Sequence, residues 1–229
     1  MVKTLMDNQP IEYKKGYTNF ANCKIDLSSK CFIPEIETEF WVKKVIQKLS
    51  RKTGSRFAGK IDVLDIFAGS GCIGIAILKG LSRVCRVDFL EIDKNFIKQI
   101  KINLKLNKIN PRRYRVIQSD IFKNIKGGFD YIFANPPYIP IKNKHLVQNS
   151  VYDFEPHSAL FGGNDGLFYI RKFLKDAWKF LKKDGKIYLE FDYLQKRELE
   201  NLLKKLNYKN FQFHKDQFKK WRWVEIRQF

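Results

Sequence analysis

Apolar residues in this chain fall into short unbroken runs separated by amphipathic stretches, which predicts strands buried on both faces alternating with helices. Ile61-Asp62-Val63-Leu64-Asp65-Ile66-Phe67 is such a run, and it ends in the Gly-rich turn Ala68-Gly69-Ser70-Gly71. Residues Ile73 to Leu81 then read as a helix. Val87 to Glu91 predicts a second strand, ahead of a longer helix with Phe96, Ile97, Ile100, Leu104 and Leu106 on or near one face. Arg115 to Gln118 and Phe129 to Ala134 predict two more strands. A helix from about Leu167 to Leu181 leads through Asp184-Gly185 into a strand over Lys186 to Phe191. One more helix, Gln195 to Leu206, precedes two strands near Phe211 and Trp223-Val224-Glu225-Ile226. With no helix between them, these two read as an antiparallel hairpin at the sheet edge.

The beginning of the chain follows a different pattern. Tyr17-Thr18-Asn19-Phe20 and Lys24-Ile25-Asp26-Leu27, separated by Ala21-Asn22-Cys23, predict a β-hairpin. A helix is expected from about Ile36 to Leu49, with Glu35, Glu37 and Glu39 near its positive end. This divides the chain into a hairpin-and-helix segment over 1–50, a polar linker over 51–59 and a sheet domain over 60–229. The expected fold is α/β, a seven-stranded, mostly parallel sheet with helices on both faces, plus the N-terminal hairpin and helix.

A chain of 229 residues, 44% hydrophobic and 15% aromatic, can bury a sizeable core, which excludes disorder for most of it. No run approaches the ~20 apolar residues of a membrane span, and the first residues lack a secretory signal. Cys23, Cys31, Cys72 and Cys85 form no CxxC and pair closely with none of His145, His157 and His214, so neither a metal site nor a disulfide framework is expected. These features suit a soluble cytoplasmic protein with no membrane partner. Lys and Arg outnumber Asp and Glu 44 to 24, a net charge of +20. That excess suits contact with RNA or a ribosome, and equally suits solvated helix faces in a lysine-rich chain.

The candidate chemistry sits at strand ends. Asp65, Ala68, Gly69 and Gly71 mark the carboxyl end of the first sheet strand, where open α/β sheets bind ligands and glycines let a ligand approach the backbone. Glu91 ends the next strand, roughly twenty residues on, the usual reach for a carboxylate that hydrogen-bonds ribose hydroxyls. Gly69-x-Gly71-x-x-Gly74 formally matches a dinucleotide fingerprint, but Asp65 and the downstream chemistry favour S-adenosylmethionine. That chemistry is Asn135-Pro136-Pro137-Tyr138, directly after a strand. Its prolines stiffen the loop. The Asn135 side-chain oxygen and the Pro136 carbonyl can accept hydrogen bonds from a planar amino group, while Tyr138 packs against its π-face. Two such acceptors steer the nitrogen lone pair towards an incoming methyl group.

From about Gln9 onwards the chain resembles the HemK family of glutamine-N5 methyltransferases, which modify the Gly-Gly-Gln glutamine of peptide-chain release factors. The resemblance rests on Gln9-Pro10-Ile11-Glu12-Tyr13 with Gly16-Tyr17-Thr18, Ile33-Pro34 with Glu37-Thr38-Glu39, Asp65 to Gly74, and Asn135 to Ile139. Its most specific piece is Glu155-Pro156 to Leu160 with Gly162-Gly163-Asn164-Asp165-Gly166-Leu167. It implies a Rossmann-like class I methyltransferase sheet, Asp120 as a further cofactor contact near the adenine, and Phe32 as a wall of a substrate pocket completed by Asn135, Pro136, Pro137 and Tyr138. Three departures stand out. Phe67 replaces the usual first glycine of the cofactor loop, which predicts weaker cofactor affinity. Glu35 and Ile36 replace an arginine and a proline, and the family's N-terminal helical docking domain has no counterpart in these residues. The competing function is methylation of adenine-N6, or another amino group, in RNA or DNA, which uses the same Asn-Pro-Pro-Tyr grip.

Overall fold

The computed structural model describes residues 8–56, 60–81 and 85–227. A short helix α1 (Ile11–Lys15) precedes a hairpin of β1 (Tyr17–Phe20) and β2 (Cys23–Asp26), then the long helix α2 (Ile36–Arg56). The alternation follows as β3 (Ile61–Ile66), α3 (Cys72–Gly80), β4 (Cys85–Glu91), α4 (Lys94–Leu106), β5 (Tyr114–Gln118) and β6 (Phe129–Ala134). Two short helices, α5 (Asn149–Phe154) and α6 (His157–Leu160), lead into α7 (Phe168–Ala177), β7 (Leu181–Glu190), α8 (Lys196–Lys205), β8 (Asn210–Lys215) and β9 (Trp221–Arg227).

The seven main strands lie in the order β5-β4-β3-β6-β7-β9-β8. Strands β3 to β7 run parallel, and β9 is antiparallel to both of its neighbours. The expected terminal hairpin is present, with β9 slotted between β7 and β8. Central strands such as β3 and β6 are buried almost throughout, whereas β8 at one edge alternates between covered and exposed positions. That contrast is why the central strands read as continuous apolar runs. One face of the sheet packs Phe89 and Phe133 against α2, α3, α4 and the hairpin; the other packs Ile132 and Leu189 against α7 and α8.

Two expectations need correction. Residues 51–56 of the expected polar linker continue α2, and residues 57–59 lie outside the described residues. Lys and Arg propagate an established helix readily, and no proline intervenes, so a polar segment there extends the helix. The helix expected to reach Leu181 ends at Ala177 and tightens into a 3-10 turn over Trp178–Phe180. Leu181 already pairs with Phe129, and a bulge with Asp184 at φ 65° intervenes before Lys186 pairs with Tyr131.

The hairpin is held by a stripe of amides on α4. Asn103 accepts from Asp26 N (2.7 Å) and donates to Asp26 O (3.1 Å), while Asn107 repeats the pattern on Lys24 (3.2 and 2.8 Å). Gln99 accepts from Ser29 N at 2.8 Å. Spaced four apart, these buried side chains share one helix face and stand in for a third strand along β2. Asn103 also donates to Ser70 O at 2.9 Å, so the same residue fixes the Gly-rich turn.

Helix α3 meets the sheet through Gly74, where a Cβ would overlap the Phe89 ring and stand 2.9 Å from Asp65 Oδ2. Gly74→Ala is therefore expected to cost about 1–3 kcal/mol through overpacking. The measurement is the urea midpoint at unchanged slope; an unchanged midpoint would show that α3 can shift without penalty.

Candidate active site

β3 and β6 are neighbours whose successors run to opposite sides of the sheet, and the crevice at their carboxyl ends is where such folds bind ligands. A cavity of about 410 Å³ opens there. Its first wall is the turn after β3. Gly69 takes φ 53°, and nothing lies within 4 Å of where its Cβ would stand, so the turn presents bare backbone. Phe67 is also left-handed, at φ 61°, a conformation that costs a non-glycine residue roughly 1–2 kcal/mol. Its ring lies edge-on to Tyr169 and Phe173, both with centroids 6.2 Å away, and this packing offsets the strain.

Glu91 accepts from the backbone N–H groups of Gly69 (2.8 Å), Ile92 (2.8 Å) and Asp93 (2.9 Å), and so shapes the turn while lining the cavity. Asp65 lies beneath it. Its Oδ2 accepts from Gly74 N at 2.9 Å, its Oδ1 is buried with no hydrogen-bond partner among the described residues, and burial pushes its carboxyl up to about 8. Asp120 sits exposed on the rim beside Ile121, a β-branched residue held at φ 52°. Backbone strain of this kind concentrates at ligand sites.

The opposite wall is the loop after β6. Asn135, Pro136, Pro137 and Tyr138 all line the cavity, as does Phe32 from the segment before α2. The structure thus places Phe32, Ala68, Gly69, Glu91, Asp120 and the Asn135–Tyr138 loop around one space. Asp65 and Gly71 stand just behind it, Gly71 as the N-cap of α3 at φ 77°.

The loop is gripped from outside. Ile139 N donates to Leu160 O and Gly162 N to Ile139 O, both at 2.9 Å. A Cβ on Gly162 would come within 2.5 Å of Pro137 O, and one on Gly166 would run into Tyr138 O. Gln195 Nε2 donates to Tyr138 O at 2.9 Å. Beneath the loop lies a polar cluster that sequence reasoning missed. Glu190, at the end of β7, accepts from Trp41 Nε1 (2.6 Å), Thr38 Oγ1 (2.8 Å) and the Tyr138 hydroxyl (3.2 Å). Glu35 faces the same hydroxyl at 3.3 Å. The available signals were an acid closing an apolar strand and the Glu37-Thr38-Glu39 segment.

The methyltransferase small domain, as a family profile, matches residues 14–151. A release factor glutamine methyltransferase of Lactococcus lactis subsp. lactis is 31% identical over 226 residues, covering 98% of this chain and 80% of that protein. The chain belongs to the release factor glutamine methyltransferase family. A second member, from Thermodesulfovibrio yellowstonii, is 33% identical over 205 residues, covering 88% of this chain and 70% of that protein. Among solved structures, ribosomal protein L11 methylase from Lactobacillus delbrueckii subsp. bulgaricus superposes with a TM-score of 0.57 at 19% identity, covering 87% of this chain and 82% of that one, which is a likeness of fold. In this chain the family's Glu155-Pro156 segment reaches across to the Ile33-Pro34 segment, because the Glu155 carboxylate accepts from Ile33 N at 3.1 Å. Burial pushes that carboxyl up to about 7.

Burial, then the negative charge of Glu190, pushes the Glu35 carboxyl up to about 8. The folded chain then keeps a proton that the unfolded chain releases at an ordinary carboxylate pKa, so stability falls as pH rises through this window. Glu35→Gln has no such proton to lose. Its urea midpoint is expected to fall less between about pH 5 and about pH 8.5 than the parent's. An equally steep fall in the variant would mean that Glu35 is ionised throughout.

Proposed function

We infer that this chain transfers a methyl group from S-adenosylmethionine to the side-chain amide nitrogen of a glutamine, in the Gly-Gly-Gln motif of a peptide-chain release factor. The observation that carries the reading is a single cavity lined by both the Gly-rich turn with Glu91 and the Asn135–Tyr138 loop. The residues present fit the cofactor. Asp65 keeps a buried carboxyl oxygen without a partner among the described residues, and Gly69 leaves open space where a side chain would intrude. Asp65, Ala68, Gly69 and Gly71 would hold its methionine part, Glu91 the ribose hydroxyls, and Asp120 the adenine edge. When bound, S-adenosylmethionine supplies an electrophilic methyl group on a sulfonium.

An amide nitrogen is a weak nucleophile because its lone pair is delocalised into the carbonyl. Asn135 Oδ1 and the Pro136 carbonyl hold the substrate NH₂ by both of its hydrogens, which orients the nitrogen. Pro137 keeps the loop rigid. The Tyr138 ring covers one face of the amide and Phe32 closes the side, so water is excluded. Once the new bond has made it acidic, the substrate nitrogen loses one proton to solvent as the product leaves the cavity. The lysine-rich surface is a candidate contact for RNA or the ribosome around the substrate. Lys43, Lys48, Lys182, Lys186 and Lys204 are already paired with carboxylates, however, which reduces the free charge.

Two variants separate cofactor from substrate. Calorimetry is expected to show that Glu91→Ala weakens S-adenosylmethionine binding by about tenfold or more, since a buried hydrogen-bonding carboxylate is lost. Wild-type affinity in that variant would remove Glu91 from the cofactor site. Asn135→Ala is expected to abolish methyl transfer while leaving cofactor affinity nearly unchanged, measured with labelled cofactor and purified release factor. Replacing the factor's glutamine should remove all incorporation. Label entering that mutant factor, or appearing only in RNA, would refute the substrate assignment.

A further inference from the structure

This inference rests on the reading above, in which Asn135 Oδ1 accepts from the substrate. A carboxamide has two ends of nearly equal shape, and its neighbours decide which one faces the cavity. Asn135 Nδ2 lies 3.5 Å from Thr38 Oγ1, whose residue is 1% exposed. The Thr38 hydroxyl has one proton to give, and Glu190 Oε2 stands 2.8 Å away to take it.

The Glu190 oxygen that faces Thr38 is already engaged as an acceptor. This Oε2 also receives the indole N–H of Trp41, a group that can only donate, and the second oxygen, Oε1, faces the Tyr138 hydroxyl. Two carboxyls flank that hydroxyl, and such a pair does not readily carry two negative charges in a buried site. Burial raises both carboxyls, and a proton held by the pair belongs on Glu35 or on Glu190 Oε1, because Glu190 Oε2 already accepts from Trp41 and Thr38. Thr38 therefore offers Asn135 only lone pairs. The amide NH₂ can meet them; Oδ1 in that place would set lone pair against lone pair.

We propose that Thr38, polarised by Glu190 and Trp41, is a positioning residue that fixes the Asn135 carboxamide with its oxygen towards the substrate. The same arrangement suits a substrate group that donates hydrogen bonds, because a flipped amide would set its own N–H groups against those of the substrate. Thr38 belongs to the cavity wall, but with 1% of its surface exposed it is screened from the space by its neighbours. It acts through Asn135 alone.

The test compares wild type, Thr38→Val and Thr38→Ser, using labelled S-adenosylmethionine and a release factor. Thr38→Val is expected to lower kcat roughly tenfold to a hundredfold while the KM for S-adenosylmethionine stays within about twofold. Thr38→Ser, which keeps the hydroxyl, should restore most of kcat. Wild-type turnover in Thr38→Val, or a serine variant as slow as the valine one with cofactor binding intact, would overturn the proposal. NMR supplies a readout independent of turnover. The Asn135 side-chain amide protons, assigned by their absence in Asn135→Ala, should exchange slowly in wild type and Thr38→Ser but fast in Thr38→Val. Equal exchange in all three would overturn the relay. If wild type transfers no methyl group to the factor, the proposed function falls, and amide exchange still decides for or against the relay.

Discussion

A carboxylate removed from water costs several kcal/mol unless donors surround it, and removing one donor from such a group is far more damaging than never having built it. Glu190 is 0% exposed, and its donors come from parts of the chain remote in sequence: Thr38 and Trp41 on α2, and Tyr138 on the loop after β6. The N-terminal helix is therefore built into the floor of the cavity. Trp41 reinforces this by stacking at 6.0 Å on Phe133 of β6 and at 5.8 Å on Trp223 of β9. Moving α2 would uncover the carboxylate, loosen Tyr138 and release Asn135 together.

How much of this was legible in the chain follows from how local each feature is. The central strands were legible because burial on both faces leaves an uninterrupted apolar run, as in β3 and β6. The Asn135–Tyr138 loop was legible because its chemistry is contiguous and follows such a run directly. The polar cluster under it was not, since Thr38, Glu190 and Tyr138 are each unremarkable until the fold brings them within hydrogen-bond distance. Gln99, Asn103 and Asn107 were hidden for a related reason. On a helix whose apolar face points to the sheet, polar residues read as solvent-facing, yet Asn103 and Asn107 pair with the open edge of β2 and Gln99 with Ser29 just beyond it. The linker error came from composition. A polar segment without proline is loop or helix according to what precedes it.

The Glu155–Leu167 segment carried the most specific resemblance, and the structure gives it a mechanical role. Its backbone binds Ile139, directly after the Asn135–Tyr138 loop, through Leu160 O and Gly162 N, and Gly166 leaves no room for a side chain against Tyr138 O. Phe67 illustrates the reverse case, a position where a glycine would be unstrained but where this chain places a ring in an aromatic cluster with Tyr169 and Phe173. Backbone ease is exchanged there for packing on the second face of the sheet.

The placement of β9 between β7 and β8 has a consequence for biosynthesis. Of the described strands it is the last to emerge from the ribosome, yet it fills an interior position in the sheet. Until it arrives, β7 presents an open edge to solvent and to other nascent chains. Trp223 cannot yet back Trp41, and the positive charge of Arg222 near Glu190 is missing. The cofactor wall, built from β3 and β4, can form early in synthesis, whereas the substrate wall reaches its final shape only after β9 has been made.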